Sequence, residues 1–179
     1  MEFHVDYWNY IGWKDPYSSS EYTLRQQEYV RHFGLGSSYT PQAVVNGKNE
    51  LVGSNSAKLR QAINTGMQQK TLTTINIQAK AGGNHVSVTY TIAGGKGQLL
   101  HIALVQKDAE TNVKRGENEG RKLKHINIVR SLKTITAQDA GSVTIELPSG
   151  LAAAYAIIAY TQQQDSFEIT GAAQTVINE

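Results

Sequence analysis

From about residue 73 onward, apolar side chains recur at every second position, and no other feature restricts the fold of this chain so strongly. Thr73, Ile75, Ile77 and Ala79 alternate with their neighbours, and Val86, Val88, Tyr90 and Ile92 repeat the pattern after the turn Gly82-Gly83-Asn84. A period of two puts such side chains on one face of a strand, so each segment buries one side and wets the other. Further strands are expected at residues 99–105, 125–135, 143–147, 153–160 and 174–177, with 167–169 as another candidate. Gly94-Gly95-Lys96-Gly97 and Pro148-Ser149-Gly150 supply turns. Residues 122–135 also fit helical spacing through Leu123, Ile126, Val129 and Leu132, but the β-branched Ile126, Ile128, Val129 and Ile135 favour strand. Such a series of short strands predicts an antiparallel β-sandwich over residues 71–179.

The first 70 residues have a different rhythm. Phe3 and Val5 alternate with His4 and Asp6 as in a short strand, and an aromatic loop, Tyr7-Trp8-Asn9-Tyr10-Ile11-Gly12-Trp13, follows. Ser18 and Glu21 have the spacing of a capping box, in which each can satisfy a free backbone N–H at a helix start. Tyr22, Gln26, Tyr29, Val30 and Phe33 recur at helical spacing, and Gly34 is placed to end that helix. Pro41-Gln42 leads into the apolar Ala43-Val44-Val45; Asn46-Gly47 is a tight-turn pair, and Leu51-Val52 completes a hairpin. Asn55 or Ser56 then caps a second helix with the apolar stripe Leu59, Ala62, Ile63 and Met67.

This order resembles the back portion of a thioredoxin-like layout, with Thr40-Pro41 at the position of that fold's cis-proline. Proline lacks the N–H a ladder needs and sits best at a strand's first residue. The phrase Phe3-His4-Val5-Asp6-Tyr7-Trp8-Asn9-Tyr10-Ile11-Gly12-Trp13-Lys14-Asp15-Pro16 resembles the signature of the DUF1223 family of exported bacterial thioredoxin-like proteins. Tyr39-Thr40-Pro41-Gln42 with Val45-Asn46-Gly47 and Val52-Gly53 is similar to the family's next block. Arg115-Gly116-Glu117-Asn118, Gly120-Arg121, Leu123, His125, Asn127 and Val129-Arg130 resemble its C-terminal block. The expected class is therefore α+β: a partial thioredoxin-like α/β domain over residues 1–70, then the sandwich over 71–179.

Family members carry an upstream strand, a Cys-x-x-Cys segment and a helix that this sequence lacks, and the chain contains no cysteine. The resemblance implies that the thiols would sit beside Pro41, leaving here the substrate-side wall of a redox site. It also implies a periplasmic or secreted protein, although no signal peptide opens the chain. The chain begins directly in a strand pattern, so a preceding segment is expected. In the thioredoxin layout the missing strand is central, and its two neighbours would stand about 10 Å apart, too far to pair. Completion by further residues, by a second copy or by strand exchange is expected, or else a rearranged N-terminal part.

The 17 basic and 15 acidic residues, net +2, are too balanced for nucleic acid or an anionic membrane. The longest apolar run, residues 151–160, is about half a bilayer span. His4, His32, His85, His101 and His125 are scattered without a helical pair, so no metal is assigned. No cofactor is expected, since Gly94–Gly97 joins strands instead of opening a helix, and no nucleophile elbow marks a hydrolase. What remains is a protein or peptide partner. The expected cleft wall is Asp6, Tyr7, Trp8, Trp13, Tyr39, Thr40 and Pro41, with Asp6 able to relay a proton. The same loop also reads as a packed aromatic corner in which Asp6 turns the backbone. A second, polar contact surface is Arg115, Glu117, Asn118, Arg121, His125 and Arg130, set against the favoured reading of a solvated loop held by its own ion pairs.

Overall fold

A computed structural model describes residues 1–115, 119–148 and 154–177. A 3-10 turn (Asn9–Ile11) precedes helix α1 (Ser20–His32), the hairpin of β1 (Gln42–Val45) and β2 (Asn49–Val52), and helix α2 (Ser56–Met67). Strands β3 (Thr74–Gly82), β4 (His85–Ala93), β5 (Leu99–Asn112), β6 (Lys122–Thr136), β7 (Ala140–Glu146), β8 (Tyr155–Gln162) and β9 (Ile169–Val176) follow. One antiparallel sheet has the order β3-β4-β7 and the other β6-β5-β8-β9. The expected antiparallel sheets are present.

Burial follows the sequence pattern strand by strand. Along β4 exposed and buried residues alternate without a break, Val86, Val88, Tyr90 and Ile92 pointing inward. In β5 the run Leu100 to Gln106 is buried throughout, which requires cover on both faces. Leu100, Ile102 and Leu104 enter the core between the sheets with Ile145, Ile157 and Ala159. Ala103 and Val105 face the opposite way and meet Tyr22 of α1, with Val129 and Phe3 beside them. Each fully buried Leu or Ile stabilises the fold by about 1.5–3 kcal/mol relative to exposure, so most of the apolar stabilisation lies around β5.

Several expectations change in detail. Residues 122–136 are strand along their length, and Arg130 is bulged out, since Leu104 pairs with Ser131 but Val105 with Val129. Phe167 has φ 57° and, with Glu168, lies outside any strand, so of the candidates at 167–169 and 174–177 only Ile169 and residues 174–176 are strand, all in β9. The expected strand at 153–160 begins outside the described residues and is seen as β8 from Tyr155. Ser19, not Ser18, caps α1, its hydroxyl accepting from the Glu21 N–H at 3.2 Å. Ser18 instead donates to the Asp15 carbonyl at 2.8 Å, so the capping-box spacing is not used. Asn55 caps α2 through the Lys58 N–H.

The N-terminal elements are a mixed α/β set, but the described residues contain no parallel sheet of the thioredoxin kind. The segment around Phe3 joins the sandwich: the Glu2 N–H donates to the Asn127 carbonyl at 2.8 Å, and the Val129 N–H donates to the Glu2 carbonyl at 2.9 Å. Phe3 and Tyr22 meet edge to face at 5.3 Å, and the Tyr22 hydroxyl donates to the Val129 carbonyl. The segment is thus drawn to the exposed edge of β6, where backbone groups are free to pair. It does not pair with β1, whose one sheet neighbour among the described residues is β2.

The β1–β2 turn is tied to the sandwich at one point. Asn46 and Gly47 both have positive φ, and the Asn46 carbonyl accepts from the Ile169 N–H at 3.0 Å. A Cβ at Gly47 would lie 1.8 Å from the Phe167 carbonyl oxygen, so only glycine allows this approach. Lys48 and Glu168 form an ion pair at 2.6 Å beside it.

Candidate functional site

The aromatic loop turns because its backbone bonds to itself: the Asn9 N–H donates to the Asp6 carbonyl and the Ile11 N–H to the Trp8 carbonyl. Asp6 is held by α1, its carboxylate accepting from the Thr23 hydroxyl at 2.6 Å and its N–H donating to the same oxygen at 3.0 Å. That is a backbone-turning arrangement, and it also keeps the carboxylate at the loop's entrance.

Trp8 reaches across to β1. Its indole N–H donates to the Thr40 hydroxyl at 3.1 Å, and its ring lies 5.4 Å from Tyr7 and 6.4 Å, stacked, from Tyr10. The Thr40–Pro41 bond is cis, Thr40 and Pro41 are exposed, and Trp8 and Tyr10 are 45% and 79% exposed. A polar chain underlies this wall. The Tyr7 hydroxyl donates to Gln26 at 3.0 Å, while the Gln26 amide donates to the Tyr39 carbonyl at 2.7 Å and to Gln42. Gln42 and the Tyr39 hydroxyl both donate to Glu50. Desolvation and the adjacent Glu50 carboxylate push the Tyr39 phenol up to about 12, so it remains a donor at neutral pH. Asp6, Tyr7, Trp8, Tyr39, Thr40 and Pro41 are therefore brought together. Trp13 is half-buried at the far end of the loop.

The second group of predicted residues is divided. Glu117 and Asn118 lie outside the described residues. Arg115 comes to the aromatic loop, its Cβ 3.9 Å from where a Cβ at Gly12 would sit. Arg121 is exposed just before β6. Arg130 turns inward at the bulge, donating to the Gln106 side chain at 2.6 Å with its guanidinium 5.0 Å over the Tyr17 ring. His125 belongs to a different cluster, with His4 4.9 Å away ring to ring.

That cluster escaped the sequence reading because its two histidines are 121 positions apart. The His4 Nδ1 is 2.6 Å from the Asp15 carboxylate. Burial works against the His4 proton, but bonds and charge from Asp15 and Glu2 outweigh it and hold the imidazole above its usual value. Burial likewise raises Asp15, yet His4, the Tyr17 N–H and His125 bring its carboxyl below the usual range. The alternation of Glu2 and His4 in an extended segment was a usable signal, because positions i and i+2 share a face.

A family model for a protein of unknown function, DUF1223, matches residues 1–162. The chain belongs to the DUF1223 family. The crystal structure of protein AGR_C_4864 from Agrobacterium tumefaciens is similar with a TM-score of 0.68 and 26% identity, over 99% of this DUF1223 chain and 79% of that one. A DUF3823 family protein from Bacteroides ovatus is 18% identical with a TM-score of 0.37, over 59% of this chain and 54% of that one. No curated protein matches. Among the described residues of this DUF1223 chain, no helix is long and apolar enough to cross a membrane.

Proposed function

We propose that this DUF1223 chain binds an extended polypeptide segment along the free edge of β1, with the aromatic loop as the side wall of the site. The observation that carries the reading is the edge itself. The Gly53 N–H donates to the Pro41 carbonyl at 2.7 Å, so in the antiparallel ladder Ala43 and Val45 turn their backbone groups toward β2. Gln42 and Val44 then turn theirs outward, as a strand-accepting edge does. Beside that edge α2 buries none of its residues, and Ile63 and Met67 of its apolar stripe are 42% and 79% exposed. A further strand against β1 would meet both demands, supplying backbone partners and a new apolar neighbour for the hairpin layer. Trp8 and Tyr10, held by Thr40 and by stacking, would flank its side chains.

A redox role is the second reading, favoured by the family resemblance and by the position of Pro41 beside Trp8. This chain has no thiol, so the reacting pair would have to arrive on the bound segment. In that reading the chain is the substrate-side wall of a thioredoxin-like site in the bacterial envelope.

Hydrogen exchange tests the binding reading. In the protein with its natural flanking residues, the Val44 amide is expected to be protected far more than in the 179-residue chain alone. Val44→Pro removes that outward N–H while leaving the β1–β2 bonds, and should abolish the matching protection of the other outward amide, Gln42. Equal exchange in both proteins would sink the proposal. For the redox reading, the flanking residues should contain a Cys-x-x-Cys, and the longer protein should reduce a disulfide substrate; inactivity removes it without touching the binding reading.

A further inference from the structure

We propose that Glu2, His4 and His125 form a binding site for one divalent transition metal ion of the Zn2+ type, with Asp15 orienting His4. The site is separate from the β1 edge and does not depend on the segment-binding reading.

The backbone brings the donors together for identifiable reasons. The parallel bridge to Ile128 fixes Glu2 against β6, and the extended segment carries His4 onto the same side two residues later. The Ser19 N–H donates to the His4 carbonyl at 3.0 Å, holding the segment to the start of α1. His125 projects from β6. The Tyr17 ring meets both imidazoles edge-on, 5.6 Å from His4 and 5.7 Å from His125, and forms one wall.

The donor spacing is that of a metal site. The Glu2 Oε2 lies 3.5 Å from the His4 Nε2 and 3.6 Å from the His125 Nδ1, and all three donor atoms fall within 4.8 Å of one another. A tetrahedral zinc with bonds of about 2.0–2.1 Å needs donors about 3.3 Å apart, so a small closure of the three groups suffices. Two imidazoles and one carboxylate are a preferred zinc ligand set, and three protein ligands leave one position for water or another donor.

Asp15 is the independent observation. Its carboxylate holds the His4 Nδ1–H at 2.6 Å, the second-layer contact by which ligating histidines are fixed in one tautomer with the other nitrogen facing the metal. Asp15 is itself held, since its carboxylate accepts from the Tyr17 N–H at 2.9 Å and its own N–H donates to Asn9 at 3.1 Å. The imidazoles are 11% and 14% exposed and Glu2 40%, so the ligands are largely dehydrated with one open side. Arg130, one cation nearby, is engaged with Gln106 and Tyr17.

Titration calorimetry of the tag-free, chelator-stripped chain with ZnCl2 tests the site. One Zn2+ per chain with a micromolar or tighter Kd is expected, Co2+ should give the visible bands of a four-coordinate N/O site, and Mg2+ should not compete. His125→Gln and Glu2→Gln should each weaken Zn2+ binding more than Asp15→Asn, for which a loss of roughly 10–100-fold is expected. His85→Gln, at the exposed start of β4, should leave it unchanged. His4→Ala removes a contact that also anchors the segment, so His125→Gln, with a thermal melt confirming its fold, decides the matter. Wild-type affinity in His125→Gln, an equal loss in His85→Gln, or no binding to the wild type would each overturn the site.

Discussion

The sandwich and the β1–β2–α2 layer are built from similar residues yet are packed very differently. Around β5, both faces of the strand are covered and side chains such as Leu100, Ile102 and Leu104 have no exposed surface. In α2 the apolar stripe at Ile63 and Met67 faces water, and the layer meets the sandwich chiefly through the turn at Asn46 and Gly47. A strand with two partners and two covered faces supplies its own stability, whereas an edge strand under a half-covered helix borrows it. Helix α1 stands with the sandwich despite its position in the chain, because Tyr22 and Tyr29 are buried there, with Tyr22 against the outer face of the four-stranded sheet.

The largest effect expected is in the core. Ile102→Ala should destabilise the whole protein by about 2–5 kcal/mol in urea unfolding, from lost transfer energy plus the cavity left behind. A small effect there would break the contrast between the two regions.

His101 sharpens the contrast from the polar side. It lies 3% exposed on the outer face of β5, stacked 4.7 Å from Tyr160 and bonded to the Thr134 hydroxyl at 2.8 Å. Burial, with the charge of Arg25, lowers its pKa to about 4. The unfolded chain takes up this proton near pH 6.5 and the folded protein does not, so stability is full above 6.5 and falls as pH drops toward 4. The loss assignable to His101 is roughly 3 kcal/mol. The difference between wild type and His101→Gln, measured across that range, should show it; parallel curves would mean that the site takes a proton without cost.

At the junction, Gly47→Ala should cost at least about 1–2 kcal/mol, the penalty of a side chain in the left-handed region, with the contact to Phe167 lost as well. Exchange of the β1 and β2 amides should then quicken while β5 stays protected. Weakest of all, Ile63→Ala in α2 should change global stability by no more than about 0.5 kcal/mol, as for an ordinary surface position. A core-sized loss at Ile63 would show that α2 is covered in solution by something further.

The contrast also marks what could be read from the chain. The alternation in Val86-Ser87-Val88-Thr89-Tyr90 announced an inward and an outward face, whereas the two-sided burial of Leu100–Val105 came from α1 and Phe3 covering the outer face of the sheet. Asn46-Gly47 named a turn by local chemistry, and the cap it left between Asn55 and Ser56 fell to Asn55. The gathering of Asp6, Tyr7, Trp8 and Thr40 with Pro41 was legible mainly through resemblance, since no local rule brings Trp8 to Thr40 across 32 positions. Ser19 displaced Ser18 as the cap because Ser18 was already bonded to Asp15 and Asn9, a competition invisible in spacing alone.

Period, turn chemistry and capping residues by themselves determined most of the strands and helices and the alternating faces of strands such as β4, because those preferences act within a few residues. Tertiary structure alone decided that the Phe3 segment lies on β6 and not beside β1, that the β1 edge stays open among the described residues, and that His4 meets His125. Those outcomes depend on which distant surfaces compete for the same backbone groups and apolar faces, and that competition is settled in three dimensions.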